Sequence, residues 1–394
     1  MNINHEKAKE YFFKGIEHFQ KEKFNEAKES FLNSLKLAPD RLSVIENLIA
    51  TYVKTEDLNG TTKLINDYKH LESHKEIQFG IAYLEHLKKN FKLSNKICEK
   101  LLTIKDNNEE KVLTLLSANY YSQKNFIGAF KVYKKLLNIK KDFYAYFGLG
   151  QVLYSCGKVK KANYYLEKSI EFKNNHTETL WNLSLCNLTL LKLERGFELY
   201  EYRWKTKDNK QARKYEIIPD IKNIKNITNK KILIWDEQGI GDTLNFSRFA
   251  LKLVSYSKYI DFVVKDKLTT FLKYLSPSIN IISEKDVNPT KYDYQISLLS
   301  IPYLLKIKST EDLKSPKINF PFTDSENEID SKRFNIGVCN SGNPDFYYDE
   351  FRSLPLSSFK EILSLEKTNF YKLSKGLNLK DKITYHSNNF LDLG

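Results

Sequence analysis

Residues 10–39 read Glu10-Tyr-Phe-Phe-Lys-Gly-Ile-Glu-His-Phe-Gln-Lys-Glu-Lys-Phe-Asn-Glu-Ala-Lys-Glu-Ser-Phe-Leu-Asn-Ser-Leu-Lys-Leu-Ala-Pro39. Four positions decide the reading: Gly15, Ala27, Phe31 and Pro39, at spacings of 12, 4 and 8. Tyr11 and Gly15 share one face of a first helix, and Ala27 and Phe31 share one face of a second. Gly15 is small enough for the second helix to come close. Pro39 ends the unit, because proline cannot continue a helix. The stretch predicts a packed helix pair.

Working outward from Ala27, the equivalent positions are Thr61, Ser94, Ala129, Ala162 and Gly196, in steps of 34, 33, 35, 33 and 34. Each is small, and a period near 34 is that of a tetratricopeptide repeat. Leu116, Tyr120, Phe126 and Tyr133 mark one later unit; Tyr146, Leu149, Gly150 and Leu166 mark the next; Leu183, Ser184 and Tyr200 the last. The unit at 42–74 is degenerate. We expect five to six helix pairs, with residues 1–205 as an all-α superhelix. Its concave face would take a protein or peptide partner, or the array would only hold another domain in place.

The 394 residues fit two or three domains. The net charge is +14, from 56 Lys and only seven Arg, with Lys spread along the chain. Base readers lean on Arg, so no nucleic-acid partner is expected. Cys98, Cys156, Cys186 and Cys339 form no CxxC pair, and the first three read as small buried hydrophobes. A reduced, cytoplasmic setting is expected, without a signal sequence or transmembrane segment. His70 and His74 stand at i and i+4, yet no third ligand is evident and no metal is expected. The aromatic run Phe197, Tyr200, Tyr202 and Trp204 reads as packing.

After Trp204 the period changes. Residues 206–229 are polar and Lys/Asn-rich and read as a linker. Lys231–Trp235 is a strand, Asp236–Asp242 a glycine loop, and Leu244, Phe246, Phe249, Ala250 and Leu253 a helix stripe. A strand at 259–264, a helix at 266–275 and strands at 279–282 and 294–298 follow, then a short apolar segment at 301–305. The alternation predicts a parallel, doubly wound α/β domain over 230–330. A second strand–loop–helix unit begins at Phe334, with a helix near 357–364 and a strand at 370–373. Residues 331–394 would be the start of a second such domain, short of a complete one.

Gly239 and Gly241 are not a dinucleotide fingerprint, because the third glycine would fall at Leu244. What remains is a helix N-terminus at the carboxyl edge of a sheet, which favours an anion. Asp242 at that helix start is either a cap or a general base for a sugar hydroxyl. Arg352 is either a surface arginine or a diphosphate clamp.

Three stretches carry a resemblance. Leu233-Ile-Trp-Asp-Glu-Gln-Gly-Ile-Gly-Asp-Thr-Leu-Asn-Phe-Ser-Arg-Phe249 follows directly on the repeats. It resembles bacterial tetratricopeptide-repeat glycosyltransferase-like proteins, relatives of the heptosyltransferases of the GT-B fold. Glu198-Leu-Tyr-Glu-Tyr-Arg-Trp204 is similar to the end of that family's repeat region. Ile336–Pro344 with Phe351–Leu356 is similar to the opening of its second Rossmann-like domain.

The resemblance implies inverting, metal-independent sugar transfer from a nucleotide-sugar donor, with no cofactor. Asp242 would be the base, and Glu237, Gln238, Gly239, Gly241 and Thr243 its binding loop. Asn340, Ser341, Gly342, Asn343 and Arg352 would face the donor. The family's later aspartate–threonine and histidine donor motif is not in this chain, which is therefore expected to be truncated. The competing expectation is a non-catalytic protein-binding scaffold with a degenerate GT-B tail.

Overall fold

The computed structural model describes residues 3–104, 109–206, 214–314, 332–344, 346, 349–373 and 390–392. The chain forms two compact units, Met1–Ile318 and Asn319–Gly394.

The first unit opens with six helix pairs. They are α1 (Ile3–Gln20) with α2 (Phe24–Leu37), α3 (Leu42–Thr55) with α4 (Leu58–Asp67), and α5 (Lys75–Leu87) with α6 (Phe91–Leu101). Then come α7 (Glu109–Ser122) with α8 (Phe126–Ile139), α9 (Phe143–Ser155) with α10 (Val159–Ile170), and α11 (Thr177–Thr189) with α12 (Leu193–Tyr200). Each helix packs on the next in the chain, giving a tetratricopeptide-like all-helical array. The six small marker residues are all buried. Close approach explains Gly15: a Cβ there would lie 2.5 Å from the Phe31 ring.

A second periodic feature was invisible in composition. The turn inside each pair holds one left-handed residue, in order Glu22, Glu56, Lys89, Lys124, Gly157 and Leu191. Each stands five residues before its marker, and only Gly157 is the residue type that adopts this backbone freely.

One expectation, on Cys156, is corrected here, and the spacing of His70 and His74 is explained. His70 lies in a 3-10 turn, Lys69–Leu71, with Nε2 3.0 Å from Asp40, while His74 is the cap residue before α5. The degenerate repeat breaks the helix between them, so they share no helical face. Cys156 is exposed, because it caps the end of α9 rather than facing its core. Cys98 and Cys186 are buried, and burial pushes both thiols up to about 12.

The array runs into a four-stranded parallel sheet: β1 (Lys231–Trp235), β2 (Tyr259–Val263), β3 (Ile279–Ile282) and β4 (Tyr294–Ser297), in order β3-β2-β1-β4. Helix α13 (Ile240–Leu253) crosses from β1 to β2, and α14 (Asp266–Leu272) from β2 to β3. Both faces are covered, as parallel sheets require. Ile232 and Ile234 pack with Phe249, Leu253 and the repeat residues Leu193 and Phe197. Leu233 and Trp235 pack on the other face with Ile218 and Val263.

The described part of the expected linker is no spacer. Ile218, Ile221 and Ile227 are buried, and Ile221 N–H donates to Gln295 O of β4 (3.0 Å). A short helix, α15 (Ile301–Leu304), follows β4.

The second unit holds β5 (Phe334–Val338), β6 (Thr368–Lys372) and β7 (Phe390–Asp392), parallel in that order. The helix expected at 357–364 is a 3-10 turn, Leu356–Phe359, followed by α16 (Lys360–Leu363). Val338, Leu356 and Phe370 form its core. These small parallel sheets do not by themselves define a GT-B pair. The expected domain boundary near residue 330 lies outside the described residues.

Candidate functional site

In the sheet order, β2 and β3 lie to one side of β1 and β4 to the other. The carboxyl ends of β1 and β4 therefore flank the switch point, where open α/β sheets usually take a ligand. Glu237 follows β1 into that crevice, and Ser297 and Ser300 come from the end of β4. The crevice is filled from the repeats.

Arg203 lies in the 3-10 turn Glu201–Lys205 that follows α12, and it is buried. Its Nε and Nη2 donate to Glu237 Oε2 (3.0 Å) and Oε1 (2.7 Å), a bidentate pair. Nη2 also donates to Ser300 Oγ (2.7 Å) and Ser297 Oγ (3.1 Å), and Nη1 to Glu201 Oε1 (2.7 Å). Ser297 Oγ donates to Glu237, whose Oε1 also accepts from Leu299 N–H at 3.3 Å. The guanidinium stacks 4.4 Å from the Trp204 ring centre. Burial alone would lower the arginine's pKa; the bonds and charges of Glu237 and Glu201 outweigh it, and the net shift is upward.

Glu237 was expected to bind substrate. Its carboxylate oxygens are committed to Arg203, Ser297 and the Leu299 amide. Gln238 is the left-handed residue of the loop (φ 63°); its carbonyl accepts from Lys265 Nζ, and its amide reaches Tyr200. Neither Gly239 nor Gly241 needs positive φ, and a Cβ on Gly241 would meet open space.

Asp242 is the third residue of α13. Its Oδ2 accepts from Gly239 N–H at 3.0 Å, a cap on the helix start. Thr243 is buried, with its hydroxyl donating to Gly239 O. The loop thus serves its own helix. Among the described residues, Asp236 Oδ2 is one of few buried polar side-chain atoms without a hydrogen-bond partner. Burial pushes that carboxyl up, against the pull of Lys214 and Lys265. A cleft of about 750 Å³ opens beside Arg203's neighbours, with Glu201, Trp204, Ser297 and Ser300 in its wall and Lys222 and Lys306 among its lining.

The second unit brings its expected residues into one loop. Asn340 is buried, its Nδ2 donating to Leu354 O (3.0 Å). Gly342 N–H donates to Ser353 Oγ (2.9 Å), and a Cβ on Gly342 would sit 2.6 Å from the Arg352 guanidinium. Arg352 Nε donates to Asp349 (2.9 Å), and its guanidinium covers Phe346 at 4.4 Å. Arg352 holds the Asp349 carboxyl below its usual range. Ser341 O is 3.8 Å from Cys339 Sγ, and Asn343 O accepts from Phe346 N–H.

Sequence reasoning missed Arg203, Ser297 and Ser300. One signal was available: an arginine is rare in this lysine-rich chain, and Arg is the residue suited to a buried bidentate pair.

No protein-family model matches the chain, and no curated protein matches it significantly. Similar solved structures include PilF of Pseudomonas aeruginosa, at 12% identity over 52% of this chain and 92% of that one, TM-score 0.41. PilW, a type IV pilus biogenesis factor, is 15% identical over 52% and 95%, TM-score 0.43. A thermophilic tetratricopeptide-repeat protein of Thermus thermophilus is 12% identical over 46% and 99%, TM-score 0.40. These likenesses are distant, and the repeat fold stands on the helix pairs themselves. Among the described residues no helix is long and apolar enough to cross a membrane.

Proposed function

We propose that this chain is a protein-binding scaffold, working in the cytoplasm, in which residues 1–205 recruit a protein or peptide and the α/β region braces the array. One observation carries the reading. The first helices of the second and fifth pairs converge: Lys54 Nζ on α3 lies 3.4 Å from Tyr144 Oη on α9, 90 residues away. Glu46 and Lys111 likewise bridge α3 and α7. First helices therefore contribute to one inner surface, with half-exposed Tyr144 on it. Crosslinking capture with the full chain tests this. Lys54→Glu with Tyr144→Ala should lose the captured partner with the melt little changed; undiminished capture sinks the inner-surface reading.

The transferase reading keeps a narrower support. Parallel βαβ sheets occur in both units, and the 750 Å³ cleft at the β4 side is of ligand size. On this reading Asp242 is the base and a nucleotide sugar is the donor. Release of nucleoside diphosphate from nucleotide-sugar donors, abolished by Asp242→Asn without loss of folding, would support it. No release from any donor would remove it.

A further inference from the structure

Charge is not even along the chain. Residues 86–170 hold 17 lysines and no arginine against six carboxylates, +11 of the chain's +14, while residues 1–85 come to −2. The surplus falls on the third to fifth helix pairs.

On the second helices α6, α8 and α10 it falls in register. Two positions before each small marker stand Lys92, Ile127 and Lys160. Two after it stand Lys96, Lys131 and Tyr164. Six after it stand Lys100, Lys135 and Lys168. A spacing of four keeps these on one face of each helix.

The flanking pairs are the internal control. Their same positions read Asn25, Glu29 and Asn33; Asn59, Lys63 and Asp67; Glu194, Glu198 and Tyr202. A drift toward lysine across the chain would not spare them. Lys168 pairs with Glu171, and no carboxylate partner is found among the described residues for the other six lysines.

Apolar groups sit within this grid. Ile127 is 72% exposed and Tyr164 56%, and Phe130, three residues after Ile127 and beside that stripe, is also exposed. Lysine ammoniums around protruding apolar side chains are suited to a bilayer interface: the charges meet lipid phosphates and the apolar groups enter between headgroups. A nucleic acid would favour arginine and has no use for Ile127. A peptide would want a groove rather than the fronts of three helices.

We propose that the exposed faces of α6, α8 and α10 dock this protein on an anionic bilayer surface, with Ile127 and Phe130 entering the interface. The test is co-sedimentation of the full chain with phosphatidylcholine vesicles, with and without roughly a third phosphatidylserine. Binding is expected only with phosphatidylserine, weakening as salt rises. Lys96→Gln, Lys131→Gln and Lys135→Gln should each cost about fivefold, and on the order of a hundredfold together. Ile127→Ser with Phe130→Ser should cost roughly tenfold with the salt dependence kept. All five sites are solvent-facing or partly so, and circular dichroism confirms that each variant is folded. The proposal is overturned by no phosphatidylserine-dependent binding or by an unaffected triple variant. Retention on polyglutamate or duplex DNA with no vesicle binding would also overturn it.

Discussion

Replacing Arg203 by Met removes the guanidinium and leaves Glu237 a buried carboxylate with only Ser297 and one amide to hold it. Breaking a buried pair in this way costs about 3–5 kcal/mol. At about 2–4 °C per kcal/mol for a unit of this size, the melt should fall by on the order of 10 °C. Arg203→Met combined with Glu237→Met removes both charges; Glu201, partly exposed, stays solvated. An apolar pair of similar volume is close to neutral, so the double variant should recover most of the loss. Arg203→Lys should fall between, because an ammonium cannot form the fork. Thermal melts followed by circular dichroism and tryptophan fluorescence read all three. A melt within about 2 °C of wild type for Arg203→Met, or a double variant no better than the single, refutes the reasoning.

Further outcomes follow from the same geometry. Lys89→Gly and Lys124→Gly should each stabilise by about 1 kcal/mol, because both residues hold a left-handed turn that glycine adopts without strain; a loss in urea titration would contradict this. Gly15→Leu should cost several °C despite leucine's better helix propensity, since even a Cβ crowds Phe31. Asp242→Asn should cost about 1 kcal/mol or less, as asparagine still caps but no longer offers a charge to the helix start. His176 Nδ1 accepts from Thr179 N–H at the start of α11, and burial lowers its pKa. The unfolded chain then binds the proton more readily, so this contribution is complete above about pH 6.5 and is lost as pH falls below that value. His176→Asn should flatten the pH dependence of the melt there.

Much of the repeat array was legible because one constraint repeats. A small residue must stand wherever two helices touch closely, and Ala27, Thr61, Ser94, Ala129, Ala162 and Gly196 announce it. The left-handed turns were illegible because Glu, Lys and Leu hold five of the six. The array over-determines that backbone, so propensity is overridden. The strands from Lys231 to Ser297 were legible as apolar runs between helix patterns. The ligand loop was misleading in part. Its glycines suggested room for an anion, yet Glu237 turns inward to Arg203, 34 residues earlier. Nothing local in either stretch reports that pairing. Two of the three stretches that carried the family resemblance, Glu198–Trp204 and Leu233–Phe249, meet in space at this contact.

Hydrogen exchange on the full chain tests most directly whether the last helix pair and the sheet are one body joined through Arg203. The amides of α12 and those of β1 should open with the same free energy, and both should lose protection together in Arg203→Met. Exchange in α12 that is tenfold or more faster than in β1, and unchanged by the substitution, would contradict the account.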